Sequence, residues 1–105
     1  MLFRSHATES SNASRTMLFD ISKNRWDSDL AKLFGDIPLS ALPEIRQSAS
    51  QFGTTKNTGI LPDGIPISGI LGDQQAALAG QACFDVGEAK CTFGTGAFQI
   101  GRAHV

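Results

Sequence analysis

Apolar residues in this chain come in short bursts, separated by polar, proline-bounded or glycine-rich stretches. From His6 to Thr16 the chain is rich in Ser, Thr and Asn, the composition of a loop. Met17-Leu18-Phe19-Asp20-Ile21 predicts a short strand or the start of a buried segment. Over Asp27–Phe34 the residues Leu30, Leu33 and Phe34 recur at helical spacing, which predicts an amphipathic helix. Asp27 or Ser28 would cap it, Trp26 would staple its first turn, and Gly35 would stop it. A second helical turn is expected at Leu39–Leu42, between Pro38 and Pro43. Ala49–Gly64 is polar, with glycine at 53, 59 and 64, and reads as loops with an exposed strand or two.

The last third has a different texture. Ile65–Leu71 is apolar and partly β-branched, predicting a buried strand that ends at Gly72. Asp73–Gln81 predicts a helix, with Ala76-Ala77-Leu78-Ala79 inside it. Gly87 marks a turn, Glu88–Phe93 a strand, and Gly94-Thr95-Gly96 a tight turn into Ala97–Ile100. Strands and helices are thus interspersed, so the fold class is α/β.

Composition narrows the function classes. The chain has 105 residues, nine Lys and Arg against ten Asp and Glu, and a formal net charge of −1. That balance gives no basic footprint for nucleic acid or an anionic membrane surface. No apolar run approaches the roughly 18–20 residues of a membrane span, and the first residues lack the apolar stretch of a secretory signal. Cys83 and Cys91 are too few for a disulfide framework or a zinc site, and are expected to be buried thiols in a reducing compartment. Ten of the eleven glycines follow Gln51, whereas most of the charge precedes it.

Two places carry candidate chemistry. In Gly69-Ile70-Leu71-Gly72-Asp73-Gln74-Gln75 a strand turns into a helix at an acid. Ligands in α/β sheets sit beyond the carboxyl ends of strands. A carboxylate there accepts a proton from a substrate hydroxyl, while the neighbouring amide hydrogen-bonds another hydroxyl. The alternative is that Asp73 only caps the following helix. In Thr92-Phe93-Gly94-Thr95-Gly96-Ala97-Phe98, glycines let backbone N–H groups approach a phosphate, with a threonine hydroxyl as a further donor. The alternative is an ordinary hairpin turn. No Gly-Lys-Ser/Thr follows, so this is not a Walker A loop. His6 and His104 have no neighbouring ligands and read as solvated; Phe93 and Phe98 read as core or pocket wall.

Taken together, the wording of the chain resembles a known family. Asn12-Ala13-Ser14-Arg15-Thr16-Met17-Leu18-Phe19-Asp20-Ile21, Trp26-Asp27, Leu42-Pro43-Glu44-Ile45-Arg46, Ile65 through Leu78, and Lys90 through Phe98 are similar to the central region of the glycerol kinases. These form a branch of the FGGY carbohydrate-kinase family. The resemblance runs from about His6 to Gln99. It implies a fragment of an actin-like/ribonuclease H-like ATPase fold, spanning the end of the N-terminal domain and the first hairpin of the C-terminal domain. It further implies ATP-dependent phosphorylation of glycerol to sn-glycerol 3-phosphate, with Mg2+, in a cytoplasmic homo-oligomer that engages neither nucleic acid nor membrane. On this resemblance Asp73 is the catalytic base and a substrate ligand. Gln74 binds a glycerol hydroxyl, Phe98 borders the glycerol pocket, and Gly94 and Thr95 face the ATP phosphates. Cys91-Thr92-Phe93 stands where members often have Asn-Thr-Tyr. No metal ligand is assigned within the segment.

The implied division is 6–81 as the end of the N-terminal domain, 82–88 as the connection, and 89–99 as the start of the C-terminal domain. The family's upstream magnesium-holding acid, its glycerol-gripping Arg–Glu pair and its downstream adenine-binding glycines have no counterpart here, so the isolated segment is expected to be inactive. The alternatives are an FGGY kinase for another polyol or sugar, and a non-catalytic binding module. GTG CTC TTC CGA TCT can write Met1–Ser5 and ATC GGA AGA GCA CAC can write Ile100–His104. The second is the reverse complement of the first over all but its final bases. Both resemble a sequencing-library adapter read in frame, so residues 1–5 and 100–105 are expected to be adapter-derived.

Overall fold

A computed structural model describes residues 5–102. Met1–Arg4, Ala103, His104 and Val105 lie outside the described residues. So do most of the expected adapter-derived ends and the expectation for His104. The chain divides into two compact units, one up to Ile70 and one from Leu71 on.

In the first unit, β1 (Ala7–Glu9) and β4 (Glu44–Arg46) form a parallel pair, with Thr8 opposite Ile45. Helix α1 (Ser10–Ala13) follows β1 directly. The expected loop over His6–Thr16 is therefore corrected to a strand and a one-turn helix. The reason is Glu9, which is completely buried and organises the turn around itself. Its carboxylate accepts the backbone N–H groups of Ser11 and Asn12, both at 2.8 Å, and the hydroxyl of Ser11. It also accepts the Ser48 hydroxyl at 2.8 Å, which ties the stretch after β4 back to β1. Burial alone would raise the Glu9 pKa. The hydrogen bonds from Ser11, Ser48 and Asn12 outweigh it and hold the group below its ordinary value. His6 is exposed, as expected.

Strands β2 (Phe19–Asp20) and β3 (Arg25–Trp26) pair antiparallel, placing Phe19 opposite Trp26. Their rings meet edge to face at 5.8 Å, and the indole N–H donates to the Pro43 carbonyl at 2.7 Å. Helix α2 (Ser28–Leu33) begins as its sequence predicts, with the Asp27 carboxylate accepting the N–H groups of Asp29 and Leu30. Gly35, at φ +112°, ends it in a conformation that L side chains rarely adopt. The buried face differs from the expected one: Ala31 is buried, whereas Leu33 is 76% exposed and Phe34 is also exposed. Spacing locates a stripe of residues but not the layer that covers it. Leu39–Ala41 forms a 3-10 turn between the two prolines.

The expected buried strand over Ile65–Leu71 is corrected. Only Pro66–Ile67 is strand (β6), pairing antiparallel with β5 (Gly53–Thr54). Ile65 and Leu71 are exposed. Proline lacks the N–H that a longer ladder would need on that residue, and β5 offers only two residues to pair. All the buried apolar side chains among the described residues belong to this first unit: Ala13, Phe19, Ala31 and Phe52.

The second unit contains α3 (Asp73–Gly80) and an antiparallel hairpin of β7 (Ala89–Phe93) and β8 (Ala97–Gly101). Both follow the sequence closely, and α3 lies against β8. Ile100 and Gly101 continue the ladder opposite Lys90 and Ala89. Among the described residues, no helix is long and apolar enough to cross a membrane.

Candidate active site

Every candidate residue lies in the second unit. Helix α3 starts at Gly72, which holds the N-cap position without a capping side chain. Asp73 is therefore the first helical residue, and its expected alternative role as the N-cap is corrected. It still serves the helix start, because its Oδ1 accepts the Gln74 N–H at 2.7 Å. An acid in the first turn also suits the helix dipole. The carboxylate is exposed, so it stands open to a ligand.

Gln74, half-buried, points its carbonyl Oε1 at the Lys90 ammonium, 2.6 Å away. The same ammonium donates to Thr92 Oγ1, also at 2.6 Å. Lys90 and Thr92 alternate along β7 and share a face of the hairpin. Phe98 is the cross-strand partner of Thr92 and shares that face as well. The structure thus brings Gln74, Lys90, Thr92 and Phe98 to one side of the ribbon. A cavity of about 480 Å3 borders this group, lined by Ala77 and Gln81 from the helix side and by Lys90, Cys91 and Thr92 from β7.

At the tip, the Gly94 N–H donates to Gly96 O at 3.0 Å, closing the turn, and Thr95 is exposed. A Cβ on Gly94 would meet nothing within 4 Å. Gly96 is different: a Cβ there would come within 3.0 Å of the Phe98 ring, so the absence of a side chain lets that ring fold back over the turn.

Two expectations about side chains here are corrected. Phe93 is 83% exposed and not core, because it lies on the face of the ribbon turned away from Lys90 and Thr92, where no second layer covers it; Phe98, 55% exposed on the Thr92 face, is not core either, which leaves its pocket-wall alternative. Cys91 is exposed and Cys83 half-buried, rather than both buried. Cys91 lies on the same face of β7 as Phe93.

Residues 1–80 match the N-terminal domain of the FGGY family of carbohydrate kinases. The chain belongs to this family. It is 62% identical over 96 residues to the glycerol kinase of Bdellovibrio bacteriovorus, covering 91% of this chain and 19% of that protein. It is 53% identical over 95 residues to the glycerol kinase of Myxococcus xanthus, covering 90% and 19%. Among solved structures it matches that of Plasmodium falciparum glycerol kinase with ADP at a TM-score of 0.80 and 49% identity, over 89% of this chain and 19% of that one. The chain therefore spans about one fifth of the length of these relatives. It is an α/β piece of the fold of this FGGY relative.

Asp73, Gln74, Gly94, Thr95 and Phe98 are legible in the sequence as site residues, whereas Lys90 is not. A period-two reading of β7 does put Lys90 on the face of Thr92. Nothing in the sequence says that Gln74 meets them there, because that depends on how α3 lies over the hairpin. The buried cluster around Glu9 is not legible either. Its only signal is the run Ser10-Ser11-Asn12 behind it, which supplies donors to a carboxylate.

Proposed function

We propose that this chain is part of a kinase that transfers the γ-phosphoryl group of ATP to glycerol, giving sn-glycerol 3-phosphate. The observation that carries the reading is the Lys90 ammonium joining Gln74, next to the exposed Asp73 carboxylate, to Thr92, whose cross-strand partner is Phe98, at the base of the Gly94-Thr95-Gly96 turn. High identity to glycerol kinases and the ADP in the Plasmodium structure support glycerol and ATP as the substrates. The segment 6–81 closes the N-terminal domain, 82–88 connects, and 89–99 opens the C-terminal domain. The protein works in the cytoplasm as a homo-oligomer, and its near-neutral charge supports a setting away from nucleic acid and membranes.

In this reading Asp73 is the general base. It takes the proton from the glycerol hydroxyl as that oxygen attacks the γ-phosphorus and ADP leaves. Gln74 hydrogen-bonds a second hydroxyl, and the Phe98 ring walls the carbon side of the small substrate. Thr95 offers its N–H and hydroxyl to the phosphates, and the open space beside Gly94 admits them. The Gly94 N–H is engaged inside the turn, so its contribution is the missing side chain. Mg2+ is the further cofactor that this reading implies. Among the described residues no group of three or more His, Cys, Asp or Glu is placed to hold a metal, so the donor set here does not by itself fit the ion. Its oxygen ligands would come from the ATP phosphates, water and residues beyond this segment.

The test uses a full-length enzyme that carries this segment. Asp73→Asn keeps the size of the side chain and an oxygen for the Gln74 N–H while removing the basicity. We expect glycerol and ATP binding to persist and kcat to fall by at least about two orders of magnitude. An Asn variant that melts normally and keeps more than about a tenth of kcat removes Asp73 from this role. A polyol panel on the unsubstituted enzyme tests glycerol against other substrates; turnover of another polyol in preference to glycerol overturns the substrate assignment.

A further inference from the structure

The half-buried Lys90 ammonium donates to two side-chain oxygens, Gln74 Oε1 and Thr92 Oγ1. An ammonium has three donors and no acceptor, whereas a carboxamide carries an acceptor at one end and donors at the other. Lys90 is therefore satisfied only by the carbonyl end of Gln74, and this fixes which way round the amide sits. Nε2, with its two hydrogens, becomes the end turned away from Lys90. The same logic holds at Thr92. Its oxygen accepts from Lys90, so its own O–H is directed elsewhere. One cation thus turns two groups that could donate or accept into donors.

We propose that Lys90 is a positioning residue for the substrate. It holds the Gln74 amide so that Nε2–H, and not the carbonyl, is presented to a substrate hydroxyl oxygen. The inference rests on the reading of Gln74 as a glycerol ligand and goes beyond it by naming what orients that ligand and with which polarity. Without Lys90 the broad terminal torsion of glutamine lets the amide take either orientation, and only one of the two suits an incoming hydroxyl acceptor. The bridge also crosses from α3 to β7, 16 positions along the chain, so the amide is held from a separate element rather than by its own helix.

The experiment measures steady-state kinetics and melting of the full-length enzyme carrying this segment, as Lys90→Met, Gln74→Met, the double variant and Gln74→Glu. Lys90→Met should raise the glycerol KM roughly tenfold, about the worth of one lost hydrogen bond, with the effect falling far less on kcat and on the ATP KM. Because Lys90 acts through Gln74, the double variant should bind glycerol no worse than Gln74→Met alone. Gln74→Glu adds an ion pair to Lys90 but has no N–H to present. It should melt at or above the unsubstituted temperature and still show a raised glycerol KM.

A normal glycerol KM in Lys90→Met overturns the proposal, including the case where only the melting temperature falls, which marks a purely structural tie. A KM in the double variant equal to the product of the single effects also overturns it. Should Lys90→Met fail to fold, Gln74→Glu decides: a folded Gln74→Glu with a normal glycerol KM overturns the proposal, and a raised KM supports it. If Gln74→Met has a normal glycerol KM in an enzyme that still phosphorylates glycerol, the placement of Gln74 in the site is wrong, and the role of Lys90 falls with it. If Gln74→Met is impaired and Lys90→Met is not, only the positioning role falls.

Discussion

The two units of this chain handle polar side chains in opposite ways. Around Glu9 a carboxylate is fully buried, and its oxygens are filled by Ser11, Asn12 and Ser48 from within the same unit. Around Asp73, Gln74 and Lys90 the polar groups are exposed or half-buried, and only some of their hydrogen-bonding capacity is spent internally. The first arrangement is what a structural polar cluster needs, because a buried group left without a partner loses its solvation and gains nothing. The second is what a binding site needs, since the capacity held back is available to a ligand. Apolar packing divides the same way: the buried apolar side chains lie with Glu9, and none among the described residues lies with Asp73.

Hydrogen exchange on the 105-residue chain should show this contrast most strongly. Slowed amides are expected in β1, α1 and β4, while α3 and the β7–β8 hairpin should exchange at close to unprotected rates. With four buried apolar side chains among the described residues, two of them alanine, no sharp cooperative melting is expected of this chain. Equal protection of both units would break the comparison.

Glu9→Ala in the full-length enzyme is the next largest effect. It leaves the Asn12 N–H and the Ser48 hydroxyl facing a buried space without their acceptor. The expected destabilisation by urea titration is roughly 2–4 kcal/mol. A loss under about 0.5 kcal/mol would mean that water reaches the cluster. The pH dependence has a definite sign. The folded pKa of Glu9 lies below its ordinary value of 4.5. The unfolded chain therefore binds more protons as the pH falls through that window. The stabilisation is present above about pH 4.5 and is lost as pH drops through the folded value, and Glu9→Gln should flatten that part of the profile. An unchanged acid limb in Glu9→Gln would count against it.

Asp27→Ala sharpens the comparison at the small end. It removes the acceptor for the Asp29 and Leu30 N–H groups on a surface helix, for an expected loss of about 1 kcal/mol. The caps of α2 and α3 differ in kind: Asp27 caps from outside its helix, whereas Asp73 sits inside its own. Asp73→Asn should therefore cost less stability than Asp27→Ala while costing far more turnover. The reverse ranking would make Asp73 the structural residue of the two.

Local chemistry was legible in the sequence wherever the cause was local. The Asp27 cap, the Gly35 stop, the 3-10 turn between Pro38 and Pro43, helix α3 and the β7–β8 hairpin each depend on a few adjacent residues, and each was readable from them. The same holds for the Gly72-Asp73-Gln74-Gln75 and Gly94-Thr95-Gly96 wording that pointed to the FGGY family. Features that depend on partners distant in sequence were not readable. Part of a polar run became a strand because β4, distant in sequence, pairs with it, and Ser48 reaches Glu9 across 39 positions to complete the cluster that caps α1. Ile65–Leu71 reads as a buried strand from its apolarity, yet strand length is set by the neighbour that pairs with it, and β5 offers two residues. Lys90 and Gln74 lie 16 positions apart, and only the placement of α3 over the hairpin brings them together. Sequence determines the local elements because propensity and capping act within a turn or two of the chain. Burial, ladder length and the pairing of side chains are decided by which elements meet, and that information exists only in three dimensions.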